Sequence, residues 1–374
     1  MIEFFNIYKQ DKKILTNLYQ DFKLISKKTN FILGDFVERF ENKFSKYVGS
    51  KYTITCANGT DAIFLGLKAL NLPKDSEVIL PAMTYCSTVF SVINAGLKPV
   101  LVDIEPNSPL MDINLIKDKI TKKTSVIIPV HLHGSVVDIN SLKKISKINN
   151  IKILDDAAQA HGARDCSNCP HKGAVCCKKG ALVGSLTDIT AFSFYPGKNL
   201  GAYGDGGGIT TNNYNTYIRL KKLRNLGSIK KFKHEIVGYN SRLDTLQAAI
   251  LLRKIEHLDI NNNKRKMIAE FYKKNINDKT ILLKYSKGCS YHQFAIKSKN
   301  KKNLIKSFIK NKIPFGEHYP VTIHKLQACR SIFIKQSFPN SENFAKKILS
   351  LPIDPNLTKK QLFKIIKVVN SIES

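Results

Sequence analysis

The sequence predicts an α/β protein with a mainly parallel central sheet and a small α+β part at its C-terminal end. Three observations carry that reading. Short β-rich runs alternate with segments of helical period along most of the chain, the pattern of parallel strands joined by helical crossovers. The run Glu77-Val-Ile-Leu-Pro81 is of the buried type, as expected in a sheet covered on both faces. The chain has 374 residues, enough for one large domain, a smaller one and a sizeable core. The polar and charged stretch 261–266 is read as a hinge, dividing the chain into domains 1–260 and 261–374.

Taken in order, the first thirty residues read as helical and peripheral, with Ile14, Leu18, Phe22 and Ile25 at spacings of three and four. Gly34 precedes an amphipathic helix carrying Phe36, Val37 and Phe40. The β-rich run Tyr52-Thr-Ile-Thr-Cys56 delivers the chain to Ala57-Asn-Gly59-Thr60-Asp61, where a helix begins with Ile63, Leu65, Leu67 and Leu70. Gly59 and Thr60 thus sit at a helix N-terminus after a strand, where free N–H groups and the helix dipole favour a phosphate. Thr-Asp is also an ordinary N-cap, so this signal alone is weak. Tyr85 lies just past the end of the strand that closes at Pro81, placed either to stack on a flat ring or to cap the core. The runs Pro99-Val-Leu-Val-Asp103 and Ser125-Val-Ile-Ile-Pro-Val-His131 are two further strands.

Lys152-Ile-Leu-Asp155-Asp156 is a strand that ends in two carboxylates. Successive strand side chains point to opposite faces, so only one of them addresses a given site; a helix cap is the plain alternative. Residues 191–194 form a short apolar strand running into Pro196-Gly197, a single lysine, Lys198, and a glycine-rich segment. Strand ends are where ligands bind in such folds. A lysine held there can grip a phosphate or form a Schiff base with a carbonyl; otherwise it is one more surface lysine. Towards the C-terminus, Tyr291-His-Gln-Phe-Ala-Ile-Lys297 alternates like a strand and 303–312 reads as a basic helix.

The formal charge is +31, from 60 Lys and Arg against 29 Asp and Glu. The excess is scattered and mostly lysine, with no basic cluster interleaved with aromatics, so nucleic acid is not read as a partner; the field favours anionic substrates. No segment is apolar for the length a bilayer needs, and the start lacks a basic, apolar, small-residue cleavage pattern, so the reading is a soluble cytoplasmic protein without a membrane partner.

Ser193-Phe-Tyr-Pro-Gly-Lys198-Asn-Leu-Gly-Ala-Tyr-Gly-Asp205 resembles the lysine motif of the DegT/DnrJ/EryC1/StrS family, pyridoxal phosphate-dependent aminotransferases acting on nucleotide-linked keto-sugars. Similar blocks recur from about Gly34 onwards, among them Asp156-Ala-Ala-Gln159-Ala-His161-Gly162, Arg224-Asn-Leu-Gly227 and Val237-Gly-Tyr-Asn240-Ser-Arg242. The resemblance implies a fold-type I PLP enzyme with pyridoxal 5'-phosphate as cofactor, an amino-acid donor, usually glutamate, and a nucleotide-linked keto-sugar acceptor. It implies that Lys198 is catalytic and bonds the cofactor, that Asp156 keeps the ring nitrogen protonated, that Gln159 reaches the ring hydroxyl and that Tyr85 stacks on the ring. Gly59, Thr60 and Ser193 would hold the phosphate together with Asn240 from the partner of a homodimer. Related sugar dehydratases carry histidine where Lys198 stands, which argues against dehydration. A non-catalytic regulator that kept the fold is the rival from another class; it is disfavoured because each of these residues is present.

The chain departs from the family's pattern between Arg164 and Leu182, where an insertion holds Cys166, Cys169, His171, Cys176 and Cys177, with half of the eight cysteines. Their spacing suits Zn²⁺, an iron–sulfur cluster, a redox-responsive pair or incidental surface thiols, and no metal is assigned. His161 matches the family pattern without a defined role, and His318 and His324, in a proline-bounded loop, are weak candidates for the substrate side.

Overall fold

The computed structural model of the chain describes residues 2–166 and 180–373. Its centre is a seven-stranded sheet: β1 Tyr52–Cys56, β2 Glu77–Pro81, β3 Lys98–Val102, β4 Thr124–Ile127, β5 Lys152–Asp156, β6 Ile189–Ser193 and β7 Gly207–Thr211. In space the order is β1-β7-β6-β5-β4-β2-β3. Only β7 runs against its neighbours; the other strands are parallel, which is the fold class expected from the alternation of strands and helices.

Helices cover both faces, and the strands show it residue by residue. On one face Leu80, Leu154 and Ile189 pack with Ile63 and Leu65 of helix α3 (Gly59–Ala69) and with Val89 and Val92 of α4 (Cys86–Asn94). On the other, Ile79, Ile127 and Ile153 form one cluster, while Phe192 and Phe194 meet Phe40 and Phe44 of α2 (Asp35–Val48). This alternation is the two-residue period of a strand buried on both sides.

The last strand was not expected, since 206–208 are all glycine and the segment reads as a loop. The glycines answer a packing demand instead. A Cβ on Gly207 would lie 2.1 Å from the Asn58 carbonyl oxygen and one on Gly208 2.9 Å from the Phe194 ring. Strand β7 therefore carries no side chain where the helix N-terminus and the aromatic core press on it.

The N-terminal helix α1 (Leu15–Lys28) is peripheral as read, with Ile25 buried but Phe22 half exposed. The residues before it were also expected to be helical and remote. Ile7–Asp11 is helical as read, but this segment is not remote: 2–6 run along the C-terminal part, where Asp354 Oδ2 accepts hydrogen bonds from the Asn6 N–H (2.8 Å) and Gln10 Nε2 (2.7 Å). The polar stretch 261–266 lies inside a continuous helix, Leu258–Asn275, rather than in an irregular hinge. Beyond it an antiparallel ribbon, β8 Phe294–Lys297 with β9 Ile348–Leu351, sits over an apolar cluster of its own. Asp103, just past β3, accepts from the N–H groups of Asn340 and Ser341 at the start of a helix, Pro339–Lys347, and ties this part to the sheet.

Candidate active site

Strands β5 and β6 end at one rim of the sheet, and a cavity of about 740 Å³ opens there. Gly59, Thr60, Tyr85, Asp156, Gln159, Ser193 and Lys198 all line it. Each is delivered by a short, local device.

Lys198 stands on the turn after β6, closed by the Lys198 N–H donating to the Tyr195 carbonyl (2.9 Å). Its amine is desolvated, which lowers its pKa to about 8, with the negative charge of Asp156 pulling the other way. Asp156 is the last residue of β5, and its carboxylate is buried, taking hydrogen bonds from Thr88 Oγ1 (2.8 Å) and the Ala158 N–H (3.1 Å). Burial raises its pKa, against the pull of those bonds and of Lys198. Asp155 faces the other side of the strand and is held by Thr187 Oγ1 (2.8 Å) in the core.

Opposite the lysine turn is the N-terminus of α3. The Asn58 side chain caps it by accepting from the Asp61 N–H (2.8 Å). The N–H groups of Gly59 and Thr60, first in the helix, have no carbonyl a turn back to bond. Thr60 Oγ1 donates to Ser87 Oγ (2.8 Å), and Ser193 ends β6 alongside, so N–H and hydroxyl groups converge. Glycine is required at 59 because a Cβ there would lie 2.6 Å from the Ser193 Cβ. Tyr85, at the N-cap of α4, is 55% exposed at the mouth, its ring 5.4 Å from that of Tyr319. Gln159 spans the cavity, donating through Nε2 to the Tyr319 hydroxyl (2.8 Å) and accepting from the His133 N–H (2.6 Å).

The facing wall comes from distant segments: Phe4 and Phe5, Arg265, His292 and Gln293, His318 and Tyr319, and Asp354. Of these the sequence pointed only to His318. Burial, with the charge of Lys198 adding to it, lowers the His318 pKa to about 4 and that of His161, beneath the site, to about 3, so both imidazoles are neutral. His161 is packed between the rings of Phe192 (5.4 Å) and Phe194 (5.7 Å).

Other candidates lie elsewhere. Asn240 is exposed and is not among the residues lining the cavity; its Oδ1 accepts from Arg242 Nη2 (2.6 Å). His324 is buried against Glu342 (3.1 Å), away from the cavity. Arg224, in another of the sequence blocks, ties α2 to β1 by bonding Glu41 and the Thr55 carbonyl oxygen (2.9 Å). Cys166 is buried, and Cys169, His171, Cys176 and Cys177 lie outside the described residues. Among the described residues no group of three His, Cys, Asp or Glu side chains is arranged to hold a metal ion, and no helix is long and apolar enough to cross a membrane.

A desolvated lysine paired with a buried carboxylate, facing a helix N-terminus with a glycine cradle, fits pyridoxal 5'-phosphate group by group: an amine for its aldehyde, an acid for its ring nitrogen, N–H donors for its phosphate. The fold and the site define an enzyme of the lysine-dependent, fold-type I class. The chain belongs to the DegT/DnrJ/EryC1/StrS aminotransferase family, whose model matches residues 13–370. It is 38% identical to the dTDP-3-amino-3,6-dideoxy-alpha-D-galactopyranose transaminase of Aneurinibacillus thermoaerophilus, over 99% of both chains. It is similar in structure to DesV of S. venezuelae, solved in complex with a ketimine intermediate, with a TM-score of 0.92, 32% identity and coverage of 99% of this chain and 98% of that one. NtdA of Bacillus subtilis, solved with bound cofactor PMP, gives a TM-score of 0.87 at 28% identity, over 98% of this chain and 85% of that one.

Proposed function

We propose that the protein uses pyridoxal 5'-phosphate to move an amino group from an amino acid, L-glutamate, to the keto group of a nucleotide-linked sugar. The observation that carries this is Lys198, its amine desolvated beside Asp156 and facing the N-terminus of α3. When bound, the cofactor supplies an electron sink that acidifies the α-carbon of the donor.

The chain's own residues do the rest. Lys198 Nζ would anchor the cofactor and, as a free amine, would take and return the proton of the donor's α-carbon; a lowered pKa leaves it able to accept that proton near neutral pH. Asp156 would keep the ring nitrogen protonated through its buried carboxylate. Gln159 reaches the ring hydroxyl and Tyr85 covers the ring face. Gly59, Thr60 and Ser193 hold the phosphate through N–H and hydroxyl groups.

The partner subunit's Asn240 completes that site in a homodimer. What supports the dimer is the apolar surface beside Asn240, where Val237 is 89% and Phe232 86% exposed. The division into a large cofactor-binding domain, 1–260, and a small one, 261–374, is proposed on the separate apolar cluster that runs from Ile268 to Val369, with Ile2 joining it. We place the enzyme in the cytoplasm, making amino sugars for a surface polysaccharide or related glycan; what supports this is the dTDP-linked amino sugar for which the Aneurinibacillus thermoaerophilus relative is named.

The test is transfer of ¹⁵N from labelled glutamate to a panel of keto-sugar nucleotides, with ping-pong kinetics expected. Lys198→Ala should fold and transfer nothing; full transfer by that variant would overturn the assignment.

A further inference from the structure

The far wall of the cavity holds a cation whose partner is missing. Arg265 lies on the buried face of the helix Leu258–Asn275, is only 5% exposed and lines the cavity, yet its Nη1 has no hydrogen-bond partner. A guanidinium cannot shed its charge, and leaving one of its buried N–H groups unmade is costly. Its pKa is lowered to about 10 by burial, and the nearby negative charge of Asp354 does not offset this. Asp354 is close enough to act through its charge, but both its oxygens are committed. Oδ2 holds the Asn6 N–H (2.8 Å) and Gln10 Nε2 (2.7 Å), and Oδ1 holds the N–H (2.8 Å) and Nδ2 (3.1 Å) of Asn356. Beside Arg265 on the same wall, Gln293 Oε1 is also buried without a partner. This lobe of the cavity is built, polar and incomplete.

We propose that Arg265 binds a carboxylate of the amino-group donor. Arg265 and Lys198 line the same cavity, and the buried imidazole of His292, which lines it too, feels the positive charges of both across it. A dicarboxylic amino acid carries its carboxylates within a few bonds of its nitrogen and bridges that span. A sugar nucleotide carries its negative charge on a diphosphate beyond the sugar ring, farther from the carbon that takes the amino group. The role deepens the aminotransferase reading and rests on it.

The test uses Arg265→Met and Arg265→Lys in the full-length protein, each checked for unchanged melting temperature and for the visible band that forms with pyridoxal phosphate. Two affinities are read: glutamate, from the loss of that band, and glutarate, which has no amine to react, by calorimetry on cofactor-free protein. Arg265→Met should weaken both about 10- to 100-fold, as expected for a charge-assisted contact, and Arg265→Lys should restore part of the loss. The KM of the keto-sugar should stay within twofold. Unchanged glutamate and glutarate affinities in folded variants overturn the proposal, as does weakening confined to the sugar nucleotide or to sugars that carry their own carboxylate. If Arg265→Met does not fold, Arg265→Lys, which keeps the buried charge, decides on the same readouts. Absence of the visible band in the wild type would strike the functional reading instead; a normal band with unshifted glutarate binding strikes only this one.

Discussion

The two walls of the cavity are assembled differently. The wall on the sheet is made where β5, β6 and α3 end or begin, and its carboxylate and hydroxyl side chains are held by near neighbours: Asp156 by Thr88 and Ala158, Thr60 by Ser87. The facing wall gathers residues 4–5, 265, 292–293, 318–319 and 354, held by contacts across the chain such as Asp354 to Asn6 and Gln159 to Tyr319. That wall still carries polar atoms with no partner, Arg265 Nη1 and Gln293 Oε1. Side chains already held in place suit a reaction step common to many substrates, since preorganised groups act without rearrangement. An incomplete wall suits recognition, since the ligand supplies the missing partners.

Four substitutions test that contrast. The largest effect is expected for Asp156→Asn, which keeps the shape of the sheet wall and removes its charge: amino transfer should fall about 10²- to 10⁴-fold while glutarate still binds. A rate near wild type would remove the chemistry from that wall.

Next is Lys198→Met in cofactor-free protein, read as stability against pH. The folded-state pKa of Lys198 is about 8 against an ordinary 10.5, so between these values the unfolded chain binds more protons and stability rises with pH. Below about 8 the penalty is complete, about 3 kcal/mol. The variant should therefore be more stable than the wild type below pH 8, with the gap closing towards 10.5; parallel profiles would show that the amine is not desolvated.

Gly59→Ala pushes a methyl group against Ser193 Cβ and should cost about 1–3 kcal/mol, read from denaturant midpoints, together with weaker cofactor binding. The smallest effect, about 1 kcal/mol, is expected for Tyr319→Phe, which cuts the hydrogen bond from Gln159 that joins the two walls. It should raise the KM of the sugar while leaving the cofactor band in place; loss of the band instead would show that the walls are not separable.

The same contrast governs what could be read from the sequence. Gly59, Asp156 and Lys198 each sit on a local signal, a helix start after a strand, a strand ending in carboxylates and a proline-glycine turn, that is ambiguous alone and takes its role from the resemblance to the family's sequence blocks. Arg265 and Gln293 carry no such signal, since in sequence Arg265 is one basic residue in a polar stretch of a helix. What makes it distinctive is burial, and burial there depends on Asp354 and the N-terminal residues, far away along the chain. Phe4 and Phe5 were missed for the same reason, having been assigned to a peripheral helix. Strand β7 was hidden by its glycines, whose absent side chains answer the close approach of Asn58 and Phe194 rather than a turn.

The most direct test is the visible absorption spectrum of the purified protein with pyridoxal phosphate, before and after glutamate, beside Lys198→Ala. A visible band in the wild type that fades with glutamate, and that the variant never forms, is the expected result. No band in the wild type, even with excess cofactor, would contradict the assignment of Lys198 and with it the aminotransferase mechanism.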